Sequence, residues 1–143
     1  MKRRTLLACI ICVALAATFS SAEPVPRDGV FIHISSGPDQ AHRVLMALNM
    51  ANMMAEEHDV LIYFDIDAIH VVLADAPDIM YAHFPSSHAA LDQLLAAEVT
   101  LMVCPGCLKA AGKSLEDVRS GIRPADRKAF FSFTKGRILT LDY

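Results

Sequence analysis

Three short stretches of the chain are almost continuously apolar: Val30–Ile34, broken only by His33, Val60–Phe64, and Val99–Val103. Runs of this length and β-rich composition read as strands. Strands without apolar/polar alternation belong to a sheet covered on both faces. Helical patterns separate them, and Arg137–Leu141 reads as a closing strand. Ala68–Leu73 fits a short extra strand or a helical turn. Strands alternating with helices predict an α/β fold, a three-layer α/β/α arrangement with a mostly parallel sheet of about five strands. In such folds ligands and reactive groups gather at the carboxyl ends of the strands. Ser35, Ser36, Asp65, Asp67 and Cys104 all fall at those ends.

The first helix is expected to start near Pro38, with Ser36 as a possible cap, and to run to about His58. Val44, Leu48, Ala51 and Ala55 make one apolar stripe, and Met46, Met50, Met53 and Met54 make a second. Two apolar faces predict burial on more than one side, through the core and a subunit contact. A sharper alternative takes the thioethers as soft-metal ligands. Further helices are expected over Ser86–Glu98, from Pro105 to Gly112, and over Pro124–Phe133. Ser114–Asp117 has the form of a capping box opening a short helix that ends at Gly121.

The first 22 residues differ from the rest. Lys2, Arg3 and Arg4 precede an apolar run over Leu6–Ala17, and Ser20-Ser21-Ala22 supplies small residues before Glu23. This is the layout of a secretory signal peptide cut after Ala22, leaving a single domain over 23–143 in the periplasm or outside the cell. The run is shorter than the roughly 20 residues a transmembrane helix needs, so no membrane attachment is expected after cleavage. Cys9 and Cys12 would leave with the leader, as would three of the 13 basic residues, making the remainder more acidic than the formal −3 of the whole chain. No basic cluster is present and Trp is absent, so nucleic acid is not an expected partner.

The remaining cysteines stand in "TLMVCPGCLKAAG", residues 100–112. Cys104 ends a strand and Pro105 opens a helix, so unpaired N–H groups and the helix dipole favour the thiolate at Cys104. Cys107, one turn on, is within reach to resolve a mixed disulfide or persulfide. A thioredoxin-type fold does not fit, because that fold places its C-x-x-C early, and only residues 108–143 follow Cys107 here. Structural zinc needs four ligands, and no second cysteine pair or finger-spaced histidine pair is present. Two alternatives to a reactive thiol pair stay open: a metal-binding or interaction module using these cysteines, and simple burial of two small residues. His70, near Asp65 and Asp67, could face Cys104 as a base. His33, mid-strand, reads as a core or interface histidine. Phosphate-cradling and dinucleotide motifs are absent, since Gly37 is a lone turn glycine.

The arrangement of "SSGPDQAHRVLMALNMANMM", "DVLIYFDIDAIHVV", "VTLMVCPGCLKAAGKS" and "RILTLDY" resembles the DsrE/DsrF-like (YchN-like) proteins over essentially all of 23–143. The most specific feature is an apolar strand ending in a cysteine with a glycine eight residues later, matched by Cys104 and Gly112. The resemblance implies a sulfur-relay role, with Cys104 as persulfide acceptor and Cys107 as a second thiol. It also implies a homo-oligomer, commonly a trimer or hexamer, and a sulfur donor or acceptor protein or small sulfur compound as partner. No cofactor and no metal are expected. Ser36, Asp65 and His70 are the candidate substrate-binding residues. The export leader departs from the cytoplasmic setting of the sulfur-relay members. A thiol–disulfide redox protein is therefore a further alternative.

Overall fold

The β-favouring runs form the centre of the molecule. A computed structural model describes residues 25–143, so the leader expected over 1–22 lies outside the described residues. The strands are β1 (Gly29–Ile34), β2 (Asp59–Phe64), β3 (Thr100–Val103), β4 (Arg123–Pro124) and β5 (Ile138–Asp142). They form one sheet in the order β4-β3-β2-β1-β5. Every pairing is parallel. The helices are α1 (Ala41–Met54), α2 (Ser87–Ala96), α3 (Pro105–Ala110) and α4 (Ala129–Ser132). Short 3-10 segments cover Pro38–Gln40, Ile66–Val71 and Leu115–Asp117.

Strand order decides where the helices lie. From β1 to β4 the chain steps in one direction, and right-handed crossovers then place every connection on the same face. The main core agrees. Ile32, Ile34, Ile62, Phe64, Leu101 and Val103 pack there with Val44, Leu45 and Leu48 of α1, Leu91 and Leu94 of α2, and Leu108 of α3. Each such side chain, fully withdrawn from water, contributes roughly 1.5–3 kcal/mol. From β4 the chain returns across the other face to reach β5 beside β1. That face is thinly covered, by Leu61, Met102 and Ala129 with Phe31, Tyr63, Phe130 and Phe133 around them. The three layers are therefore unequal.

Several expectations are corrected. The stretch Pro124–Phe133 is helical only over Ala129–Ser132. Its first two residues lie at the end of Ile122–Ala125, where Arg123 and Pro124 make a two-residue edge strand. Proline is tolerated there because an edge position needs no inward N–H. Ala68–Leu73 is helical turn, not strand, apart from one isolated antiparallel bridge from Leu73 to Val118. The capping box at Ser114 and Asp117 is present, but it opens a single 3-10 turn. Ser36 does not cap the first helical segment: Gly37 holds the N-cap position of Pro38–Gln40, without a side-chain cap. In α1 the first stripe is buried at Val44, Leu48 and Ala51, while Met46, Met50 and Met54 are half-buried and Met53 is exposed.

Candidate functional site

Cys104 follows β3 directly. Its N–H still donates to Phe64 O at 2.9 Å, extending the β2–β3 ladder by one residue. The backbone is extended at Cys104 (φ −69°, ψ 113°) and turns helical at Pro105. The cysteine is thus the N-cap of α3, and its Sγ accepts the Cys107 N–H at 3.3 Å. Serine-like capping by sulfur satisfies one of the donors a helix start leaves free. At the other end Gly112 adopts φ +68°. The Lys113 N–H donates to Leu108 O at 2.8 Å and the Gly112 N–H to Lys109 O at 3.1 Å. This is the paired closure of a Schellman motif, which needs a left-handed residue. The eight-residue spacing from Cys104 to Gly112 is therefore the length of this short helix with both its ends.

Cys107 is held from a third element. Its Sγ accepts the Ile66 N–H at 3.3 Å. Ile66 sits at φ +48°, in the left-handed region, with its side chain 59% exposed. A β-branched residue there is a true outlier, with a strain of about 1–3 kcal/mol. The strained turn aims its N–H at sulfur.

The two thiols are unlike. At Cys104 burial opposes ionisation. Hydrogen bonding with the Cys107 thiol and the Tyr63 hydroxyl, and with the N–H groups of Cys107 and Gly106, outweighs it and holds the thiol below its ordinary range. At Cys107 the bond with Cys104 and then burial push the thiol up, against the opposing Ile66 N–H. Both cysteines are free thiols. The pair therefore offers one thiol that ionises more readily than usual and one that ionises less readily, in mutual reach, as a nucleophile and a resolving thiol require.

Around them lies a polar row on the thinly covered face. His33 and Tyr63 are partners in the β1–β2 register. Their rings stack at 5.7 Å with an interplanar angle of 21°. His33 Nε2 lies 2.8 Å from Asp65 Oδ1 and its Nδ1 2.7 Å from Asp142 Oδ1. Phe130 of α4 meets the Tyr63 ring edge-on at 5.2 Å.

Of the candidates from sequence, Cys104, Cys107 and Asp65 come together. Ser36 is half-buried in the turn after β1, and His70 is exposed at the end of the Ile66–Val71 turn. Among the described residues no hydrogen bond or ion pair links either to the cysteines. The histidine in the site is His33, on the sheet between two carboxylates. Its signal, with that of Tyr63, was a polar atom at matching positions of two otherwise apolar strands. The lone glycine Gly37 has a packing role, since a Cβ there would sit 2.9 Å from Asp67 Cβ. Among the described residues no three His, Cys, Asp or Glu side chains gather to hold a metal ion.

The model of the DsrE/DsrF-like family matches residues 28–134. Among solved structures, the ychN protein from E. coli superposes with a TM-score of 0.63 at 17% identity, covering 80% of this chain and 99% of that one. The protein of unknown function MTH1491 from Methanobacterium thermoautotrophicum superposes with a TM-score of 0.53 at 15% identity, again covering 80% of this chain and 99% of that one. At such identities the likeness is one of fold. No curated protein matches the chain.

Proposed function

The chain belongs to the DsrE/DsrF-like family, and from that premise we propose that it is an exported sulfur carrier whose Cys104 accepts a sulfane sulfur and whose Cys107 resolves the product. Family members commonly act in sulfur relay. The observation that carries the reading here is the inequality of the two thiols: hydrogen bonds favour the Cys104 thiolate and disfavour that of Cys107.

The steps follow from ordinary sulfur chemistry. The Cys104 thiolate attacks the outer sulfur of a persulfide or polysulfide donor. A new S–S bond forms at Cys104, the donor's S–S bond breaks, and the donor leaves as a thiolate with its electron pair. Discharge to an acceptor thiolate repeats the exchange in reverse. Without an acceptor, the Cys107 sulfur attacks Cys104 Sγ, loses its proton, and expels hydrosulfide as a Cys104–Cys107 disulfide forms. Asp65 stands beside this chemistry through His33, whereas among the described residues no hydrogen bond or ion pair ties Ser36 or His70 to the cysteines.

Anaerobic incubation with polysulfide, followed by intact mass measurement, is expected to show added sulfur that disappears in Cys104→Ser. A wild-type protein that stays unmodified would count decisively against the reading. Export predicts a mature N-terminus at Glu23, read by terminal sequencing of protein from the native compartment. Assembly into a homo-oligomer has apolar surface to draw on, including exposed Met53, Ile138 and Leu139.

A further inference from the structure

The polar row beside the cysteines has no part in the steps above, yet its geometry leads to the reacting sulfur. Parallel pairing sets Asp142 beside His33, His33 beside Tyr63, and Tyr63 beside Met102. Alternation along β3 returns to the same face two residues later, at Cys104. Four neighbouring strands thus present Asp142, His33, Tyr63 and Cys104 in sequence across one face of the sheet. Tyr63 cannot swing away, because its ring is held between the His33 plane and the edge of Phe130. His33 cannot turn either, because each ring nitrogen faces a carboxylate at 2.7–2.8 Å. A neutral imidazole donates from one nitrogen only, and the doubly protonated ring donates to both carboxylates.

We propose that Tyr63 is a catalytic residue of this site, its Oη–H donating to the Cys104 sulfur as negative charge gathers there, and that His33, fixed by Asp65 and Asp142, is the positioning residue that keeps the phenol on line. The proposal rests on the sulfur-carrier reading for its purpose. At rest no hydrogen bond joins the hydroxyl to the sulfur among the described residues, but the two side chains share one face of adjoining strands and each shifts the ionisation of the other. Such contacts tighten when the charged form appears. Burial and then Cys104 itself push the Tyr63 phenol well above its ordinary range, so it keeps its proton at any working pH. A phenol that holds its proton this firmly acts as a donor to the thiolate, to the thiolate leaving when a persulfide is discharged, or to the persulfide anion. It therefore stabilises charge without taking a proton itself.

The test is the pH profile of alkylation at Cys104, located by fragment mass so that Cys107 is scored separately, alongside the thermal midpoint of each variant. Tyr63→Phe keeps the ring between His33 and Phe130. It is expected to raise the Cys104 midpoint by about one pH unit and to slow alkylation about tenfold below it, with an unchanged thermal midpoint. His33→Leu is expected to shift the profile in the same direction, and to add nothing once Tyr63→Phe is present. Should His33→Leu fail to fold, His33→Gln is read by the same measurements. An unmoved profile in Tyr63→Phe overturns the role of the phenol. Equal shifts from His33 variants with and without the Tyr63 hydroxyl overturn positioning through Tyr63. Sulfur loading of wild-type protein is scored in parallel, and its absence removes the sulfur-carrier reading while the alkylation profile still decides the role of Tyr63.

Discussion

Ile66 joins backbone strain to sulfur chemistry in one residue. Its left-handed conformation costs an L-residue roughly 1–2 kcal/mol, and it is the price of pointing an N–H at Cys107. Ile66→Gly removes that strain and keeps the N–H, while the freer unfolded chain takes back roughly 0.5–1 kcal/mol. The expected result is a thermal midpoint equal to or slightly above wild type, measured by calorimetry. A fall would mean that the exposed side chain packs more than its surroundings indicate. At the cysteines the signs are opposite. The Cys104 thiol is depressed, so its alkylation midpoint should fall below the ordinary value of about 8.5, and that of Cys107 should lie above it. The Cys104 thiolate adds to folding stability above the unfolded thiol value, and that contribution is lost as pH falls through the folded one. Cys107 acts in the reverse sense, adding stability below the unfolded value and losing it as pH rises through the folded one. Cys104 was legible in sequence because strand, cysteine, proline and glycine all pointed to the same place. His33 and Tyr63 were less so, because the polar atom each carries in an apolar strand gains its meaning only from the register between strands 30 positions apart.

At the level of elements, α3 shows how a six-residue helix is made to stop and start. Its amino end is capped by Cys104, and its carboxyl end is turned by Gly112 with open space around the position of a Cβ. Gly112→Ala therefore meets no clash, only the left-handed penalty. It should lower stability by about 1–2 kcal/mol, read as a reduced urea midpoint with an unchanged slope. Strands β1 to β3 could be read ahead of the structure because a sheet covered on both faces leaves continuous apolar runs, and helices α1 and α2 because their buried faces impose periodicity. The segment after Gly121 could not. Its apolar residues Ile122, Ala125, Ala129 and Phe130 serve two faces of the sheet in turn. A helical reading joined contacts that in fact belong to an edge strand, a turn and one short helix.

For the molecule as a whole, the position of β5 sets the accessible surface. It pairs on one side only, with β1, and leaves Ile138 47% and Leu139 53% exposed at the sheet edge. A long exposed apolar edge invites pairing with another chain. Lys135 and Arg137 lie at one end of this strand and Asp142 at the other. Antiparallel pairing of two copies would bring these ends together, with Arg137 already paired to Asp28 and Asp142 to His33 within each copy. Light scattering is expected to give a mass at least twice that of one chain, and Leu139→Lys should lower it without changing the circular dichroism of the fold. A monomeric wild type would remove this expectation.

The same strand also decides when the molecule acquires its chemistry. Arg137 and Asp28, which pin the start of β5 against the start of β1, are 109 positions apart, and Asp142 reaches His33 over a similar span. Loop closure on this scale comes late, since distant contacts repay their entropy only after nearer ones have formed. During synthesis, Cys104 is made well before the strand that completes the row beside it. Until β5 docks, His33 is held by Asp65 alone and lacks its second carboxylate, Asp142. The clamp on His33 is thereby timed by topology: its first carboxylate comes with the early strands and its second only with the last one.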